Sequence, residues 1–103
     1  MGIGMQIIYL GLPGSASLEA EAAIQLLRLQ PFSAGFSDCR LEIEQVGQSC
    51  ETSMYEVRLE VTTLTRGLRR IGRCVRDSAE AAIRCAFNRA VRVLAVVATR
   101  GNQ

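Results

Sequence analysis

At 103 residues, 49% hydrophobic and 21% charged, the chain has the make-up of one ordinary globular domain spanning residues 1–103, with room for a single two-layer core. It contains no histidine, and no apolar run approaches the roughly 18 residues that a membrane span needs, which argues against imidazole catalysis, His-ligated zinc and a spanning helix. The net charge of +2 hides an asymmetry: residues 1–64 hold three arginines against eight acids (−5), residues 65–103 nine arginines against Asp77 and Glu80 (+7), and lysine is absent. Such a split points to a surface that faces a polyanion, although acidic and basic halves that pair with each other would give the same count.

Residues 5–12 are apolar, include β-formers and end at Pro13-Gly14, a turn signal, so they read as a first strand. Ser15 or Ser17 then caps a helix to about Leu29, with Leu18, Ala22, Leu26 and Leu29 on its buried face and Pro31 as its stop. Its charges are Glu19 and Glu21 near the start, where they suit the helix dipole, and the single Arg28. Residues 31–37 read as a loop whose two phenylalanines tuck under the core.

Two alternating segments follow, residues 39–44 and 55–61, with apolar residues at odd positions and mostly charged ones at even positions. That pattern describes strands with one face on a core and one in water. A polar loop over residues 45–53 joins them, and Arg40 and Arg58 can lace the wet face by pairing with Glu42, Glu56 and Glu60. Residues 63–67 form a turn. Residues 68–76 read as a fourth strand near a sheet edge, with Leu68, Arg70, Gly72, Cys74 and Arg76 on one face and Arg69, Ile71, Arg73 and Val75 on the other.

The strongest signal lies in residues 77–100. Ala79, Ala82, Ile83, Ala86, Phe87, Ala90, Val91, Leu94, Val97 and Ala98 recur at spacings of three and four, an amphipathic helix whose alanine-rich stripe suits close packing on a flat sheet. Arg84, Asn88, Arg89 and Arg92 fall roughly opposite. Asp77 with Glu80 has the capping-box spacing, and Gly101 stands where a C-terminal glycine is common. The order β-α-β-β-β-α implies an α+β fold: a four-stranded, mostly antiparallel sheet with both helices on one face.

Cys39, Cys50, Cys74 and Cys85 are too far apart in sequence for a zinc motif. Their even number leaves disulfides open, but three of them sit within predicted strand or helix, so buried free thiols are the expected state. There is no phosphate-binding glycine motif, and the paired carboxylates lie on the solvated sheet face beside arginines; no enzyme activity, cofactor, metal or small-molecule substrate is expected. The chemistry is concentrated in arginine. Arg66, Arg69, Arg70, Arg73 and Arg76 in the fourth strand and its turn, with Arg84, Arg89 and Arg92 on the helix, form a candidate RNA-binding set, since guanidinium groups bind phosphate bidentately. Few aromatics and no RNP-type motif favour reading of backbone charge and shape over base stacking, with a solvated basic face as the plain alternative.

The element order and several segments resemble the ribosome-associated translation inhibitors, also called hibernation-promoting factors or sigma-factor modulation proteins. The residues that carry the resemblance are Ala82-Ile83-x-x-Ala86-Phe87-x-x-Ala90-x-Arg92-x-Leu94 in the last helix, Ser17-Leu18-Glu19, Ser37-Asp38-Cys39-Arg40, and Tyr55-x-Val57-Arg58-Leu59-x-Val61. The resemblance covers nearly the whole chain as a short form and implies a fold akin to double-stranded-RNA-binding domains. It further implies a cytoplasmic stress-response protein that docks on the small ribosomal subunit, contacts rRNA through basic helices, Arg84, Arg89 and Arg92 among them here, and inhibits translation. The alternative is a protein-interaction module of the same fold, possible as a homodimer, that no longer binds RNA.

Overall fold

The computed structural model describes residues 4–48 and 53–101. Its elements are β1 (Gly4–Leu10), α1 (Ala16–Leu26), a 3-10 helix (Leu27–Gly35), β2 (Phe36–Gln48), β3 (Ser53–Thr63), β4 (Gly67–Arg76) and α2 (Ala79–Gly101). The strands form one sheet in the order β1-β2-β3-β4, with β1 parallel to β2 and the remaining pairs antiparallel. The architecture is the expected α+β one, a four-stranded sheet with both helices on one face.

The alternation of β2 and β3 explains the layering. Cys39, Leu41 and Ile43 stand opposite Val61, Leu59 and Val57, and all six are buried beneath the helices. Both strands run beyond their sequence-predicted ends, so the hairpin connection is shorter than the expected residues 45–53; Cys50, in that connection, lies outside the described residues. From α2, Ala79, Ala82, Ile83, Ala86, Phe87 and Ala90 fill the core, and α1 adds Leu18 and Ala22. The predicted stripe stops being buried near Leu94. Val97, expected in the core, is 60% exposed, because the last turns of α2 run past the sheet; Ala98, the final residue of that stripe, lies outside the described side chains.

Four local expectations are corrected. The α-helical part of α1 ends at Leu26, not near Leu29, and Pro31 sits inside the 3-10 helix that follows rather than ending a helix. The α-helical hydrogen bonding that a proline would interrupt has already ended at Leu26. Of the two expected caps of α1, Ser15 is the one used, accepting from the Leu18 amide at 3.3 Å. For α2 the cap is Ser78 rather than Asp77: its Oγ accepts from the Ala81 amide at 3.0 Å and its carbonyl from the Ala82 amide at 3.0 Å. Glu80 is then one position too early for the capping box.

The third correction concerns β4. Gly72 pairs with Leu59 and Arg70 with Glu60, which leaves Ile71 as an extra, unpaired residue, a β-bulge. The bulge breaks the alternation, so each predicted face is split. Arg69, Ile71, Gly72, Cys74 and Arg76 belong to the helix side, and Leu68, Arg70, Arg73 and Val75 to the open side. The fourth correction is chemical: Cys74 and Cys85 are joined as a disulfide between β4 and α2, with Cα atoms 5.9 Å apart, while Cys39 is the expected buried free thiol.

Gly72 sets how close α2 can come. A Cβ there would run into the Ala86 carbonyl oxygen and stand 3.0 Å from its carbon, so backbone meets backbone with no side chain between them. Gly72→Ala is expected to cost about 1–3 kcal/mol, the usual range for overpacking a core. Gly35→Ala, where nothing lies within 4 Å, should stay within about 0.5 kcal/mol. Urea unfolding of both variants tests this; equal midpoints would show that α2 does not depend on the close approach.

Candidate nucleic-acid interface

The eight candidate arginines begin as one dense run in sequence, and the fold separates them. On the open sheet face Arg58 is the hub, bonding Glu42, Glu44 and Glu56 at 3.0 Å each. Arg40 joins Glu42 at 3.1 Å, as expected, and Arg73 joins Glu56 at 2.8 Å. Arg70 reaches Glu60, its cross-strand neighbour, at 3.6 Å. Burial works against the charge of Arg58, but the carboxylates of Glu42, Glu56 and Glu44 raise its pKa well beyond the ordinary arginine range. The Glu56 carboxyl is held below the usual carboxylate range, first by the Arg73 hydrogen bond and then, against the opposing effect of burial, by Arg58. Arg70 and Arg73 therefore stand on a face whose charges are already matched.

On the helical layer, Arg84 is drawn into a chain of contacts that clamps α1 to α2. Its guanidinium meets Glu21 at 3.2 Å, Gln25 donates to the other Glu21 oxygen at 2.9 Å, and Arg28 donates to Gln25 at 2.9 Å and to Asn88 at 2.6 Å. The Gln25 hydrogen bond, with Arg84 behind it and burial opposing, lowers the Glu21 pKa. At the end of β4, Arg76 donates to the Val75 carbonyl at 2.7 Å and to Cys85 Sγ at 3.2 Å.

Four of the eight remain unengaged. Arg66, Arg69, Arg89 and Arg92 are exposed and make no side-chain ion pair or hydrogen bond among the described residues. Arg66 lies in the β3–β4 turn, where Thr63 Oγ1 accepts from its amide at 2.9 Å and donates to the Gly67 carbonyl at 3.1 Å. Gly67 takes φ +69° there, a left-handed conformation that glycine adopts freely. Arg66, Arg69 and Arg70 line one side of an open groove of about 520 Å³, with Val93, Leu94 and Val97 of α2 on the other and Val61 and Ile71 among its walls. Arg89 shares the β4-facing side of α2 with Cys85 and Val93, at helical spacing, and Arg92 points directly away from the sheet.

The fold recurs among solved structures. A ribosomal subunit interface protein from Coxiella burnetii superposes with a TM-score of 0.77 at 13% identity, covering 94% of this chain and 99% of its own. The N-terminal domain of Protein Y from Thermus thermophilus does so with a TM-score of 0.64 at 19% identity, covering 91% and 96%. The fold is that of a ribosomal subunit interface protein. No protein-family model and no curated protein sequence matches the chain. At these identities the likeness is one of fold, the level at which the family resemblance read from sequence has its counterpart.

Among the described residues no group of His, Cys, Asp and Glu could hold a metal ion, and no described helix is long and apolar enough to cross a membrane. Residue-by-residue reading missed the groove, because Leu94 and Val97 looked like a continuation of the core stripe. It also missed the Glu21–Arg84 pair, 63 residues apart in sequence.

Because the pKa values of Glu21 and Glu56 are lowered on folding, their ion pairs contribute stability above the ordinary carboxylate value of 4.5, and that contribution is lost as pH falls through the lowered values. The urea midpoint should drop between about pH 5 and pH 3. In Glu56→Gln the drop should be shallower; an unchanged pH profile would show that the Arg73–Glu56–Arg58 bonds do not form in solution.

Proposed function

We propose that this chain is a non-enzymatic, ribosome-binding regulator that docks on the small subunit and inhibits translation. The observation that carries the reading is the end-to-end likeness of fold to a ribosomal subunit interface protein, 94% of this chain against 99% of that one. The arginine set adds chemical support. Arg66, Arg69, Arg89 and Arg92 are exposed cations without carboxylate partners among the described residues, which suits phosphate contact, and the matched charges of the open sheet face leave the α2 and β4-edge side as the side with excess positive charge. Arg70, Arg73, Arg76 and Arg84 belong to the same set, with the difference that each must exchange an internal bond for a phosphate.

Co-sedimentation with purified small ribosomal subunits over a range of salt tests the reading. Saturable binding that weakens steeply with salt is expected. Replacing Arg89 and Arg92 together by Ala should reduce the slope of log K against log salt by about two, roughly one for each phosphate contact. Arg73→Ala should change binding less, because that side chain already bonds Glu56. Absence of binding at low salt would sink the proposal.

A second reading, a dimeric protein-interaction module, draws on the apolar end of the molecule, where Leu64, Leu68, Val93, Val96 and Val97 are all exposed. A stable homodimer in sedimentation equilibrium, indifferent to added rRNA, would favour it.

A further inference from the structure

The disulfide joins the two elements that carry seven of the eight candidate arginines, all but Arg66, and its sulfur atoms are not equivalent. Cys74 Sγ belongs to a side chain buried between β4 and α2 at 2% exposure, whereas Cys85 is half-buried on the β4-facing side of α2. Of the two sulfurs, that of Cys85 accepts from a cation, the Arg76 guanidinium at 3.2 Å, and that of Cys74 has no such contact among the described residues. A cation beside a partly exposed cysteine favours the thiolate, the nucleophilic form, while a thiol in an apolar setting stays protonated. Cys39 shows the latter case within the same chain: buried under the helices, with the Asp38 charge adding to the effect, its pKa is pushed up to about 12.

We propose that Cys74 and Cys85 form a hydroperoxide-responsive thiol pair, in which Cys85 is the attacked residue, Cys74 the resolving one and Arg76 the group that activates Cys85. In the reduced protein the Cys85 thiolate attacks the terminal oxygen of a hydroperoxide. The O–O bond breaks, the peroxide's other oxygen leaves as water or alcohol after taking up a proton, and Cys85 becomes a sulfenic acid. The Cys74 sulfur then attacks the Cys85 sulfur, forming the S–S bond and releasing the sulfenic oxygen as water. Two thiols and one hydroperoxide thus yield one disulfide with water and the alcohol (a second water for hydrogen peroxide); a thiol reductant reverses the change by exchange. The 5.9 Å between the two Cα atoms falls in the ordinary disulfide range, so resolution needs no backbone rearrangement. The pair stands independently of the ribosome reading, since it needs only β4, α2 and Arg76.

The test uses the full chain, reduced and freed of reductant, with Cys50→Ser as background so that three cysteines remain. Hydrogen peroxide is added in small excess, and mass spectrometry follows the products with dimedone present as a sulfenic-acid trap. The expected result is a Cys74–Cys85 disulfide, and in the further variant Cys74→Ser a dimedone adduct confined to Cys85, with Cys39 unmodified. Arg76→Gln should slow the reaction roughly tenfold at neutral pH and move its pH–rate profile to higher pH, as a change of about one unit in thiol acidity requires. A merely structural role for Arg76 would leave that profile in place. Adducts on Cys74 or Cys39 at comparable rates, no disulfide in the parent protein, or an unchanged pH–rate profile in Arg76→Gln would each overturn the assignment; circular dichroism of every variant confirms that folded protein is being compared.

Discussion

Everything in this molecule is referred to the contact between the backbone of β4 at Gly72 and the backbone of α2 at Ala86. A helix on a sheet usually stands about 10 Å away, held off by its own side chains. Here the absence of a Cβ on one side and the smallest one on the other remove that spacer. Close approach brings Ala82, Ile83, Ala86, Phe87 and Ala90 to full burial and places Cys85 against Cys74. It also sets the rotation of α2, and with it the outward direction of Arg89 and Arg92.

The charges then follow from topology. Carboxylates of the alternating strands β2 and β3 project on the open face, where Arg58 gathers three of them and the β4 arginines Arg70 and Arg73 cover two. The acidic α1 meets the basic α2 through Glu21 and Arg84. The two halves of the chain thus pair across the fold, while Arg66, Arg69, Arg89 and Arg92 have no side-chain partner among the described residues. Isolated exposed pairs contribute little to stability, but a shared hub such as Arg58 resists rearrangement because moving it leaves several carboxylates without a partner.

Much of this was legible in the sequence for physical reasons. The 3.6-residue recurrence of α2 and the two-residue alternation of β2 and β3 extend over enough positions to override local noise, and a sheet with two helices follows from their order. The site was only half legible. Sequence could name the arginines but not their partners, since Glu21 and Arg84 meet only after the whole fold is built. Strict alternation misplaced half of β4 because nothing in Leu68-Arg69-Arg70-Ile71-Gly72 announces which residue is the extra one. Similarly, Ser78 and Asp77 are both good caps by residue type, and nothing in their local sequence chooses between them. The disulfide was hidden because a strand position and a helix position 11 residues apart show no spacing motif.

The bulge at Ile71 has a meaning for how such a surface can change over evolutionary time. On an edge strand one residue can be gained or lost with little penalty, since only one neighbour has to accommodate it. A bulge absorbs the extra residue, so the pairing on both sides of it keeps its register. A deletion at Ile71 would leave Arg70 opposite Glu60 and Arg69 opposite Val61, restoring regular alternation with every cation on the face it now occupies. This edge strand can therefore gain or lose a residue at the bulge while its cations keep their faces, so its length and its charge pattern can vary independently.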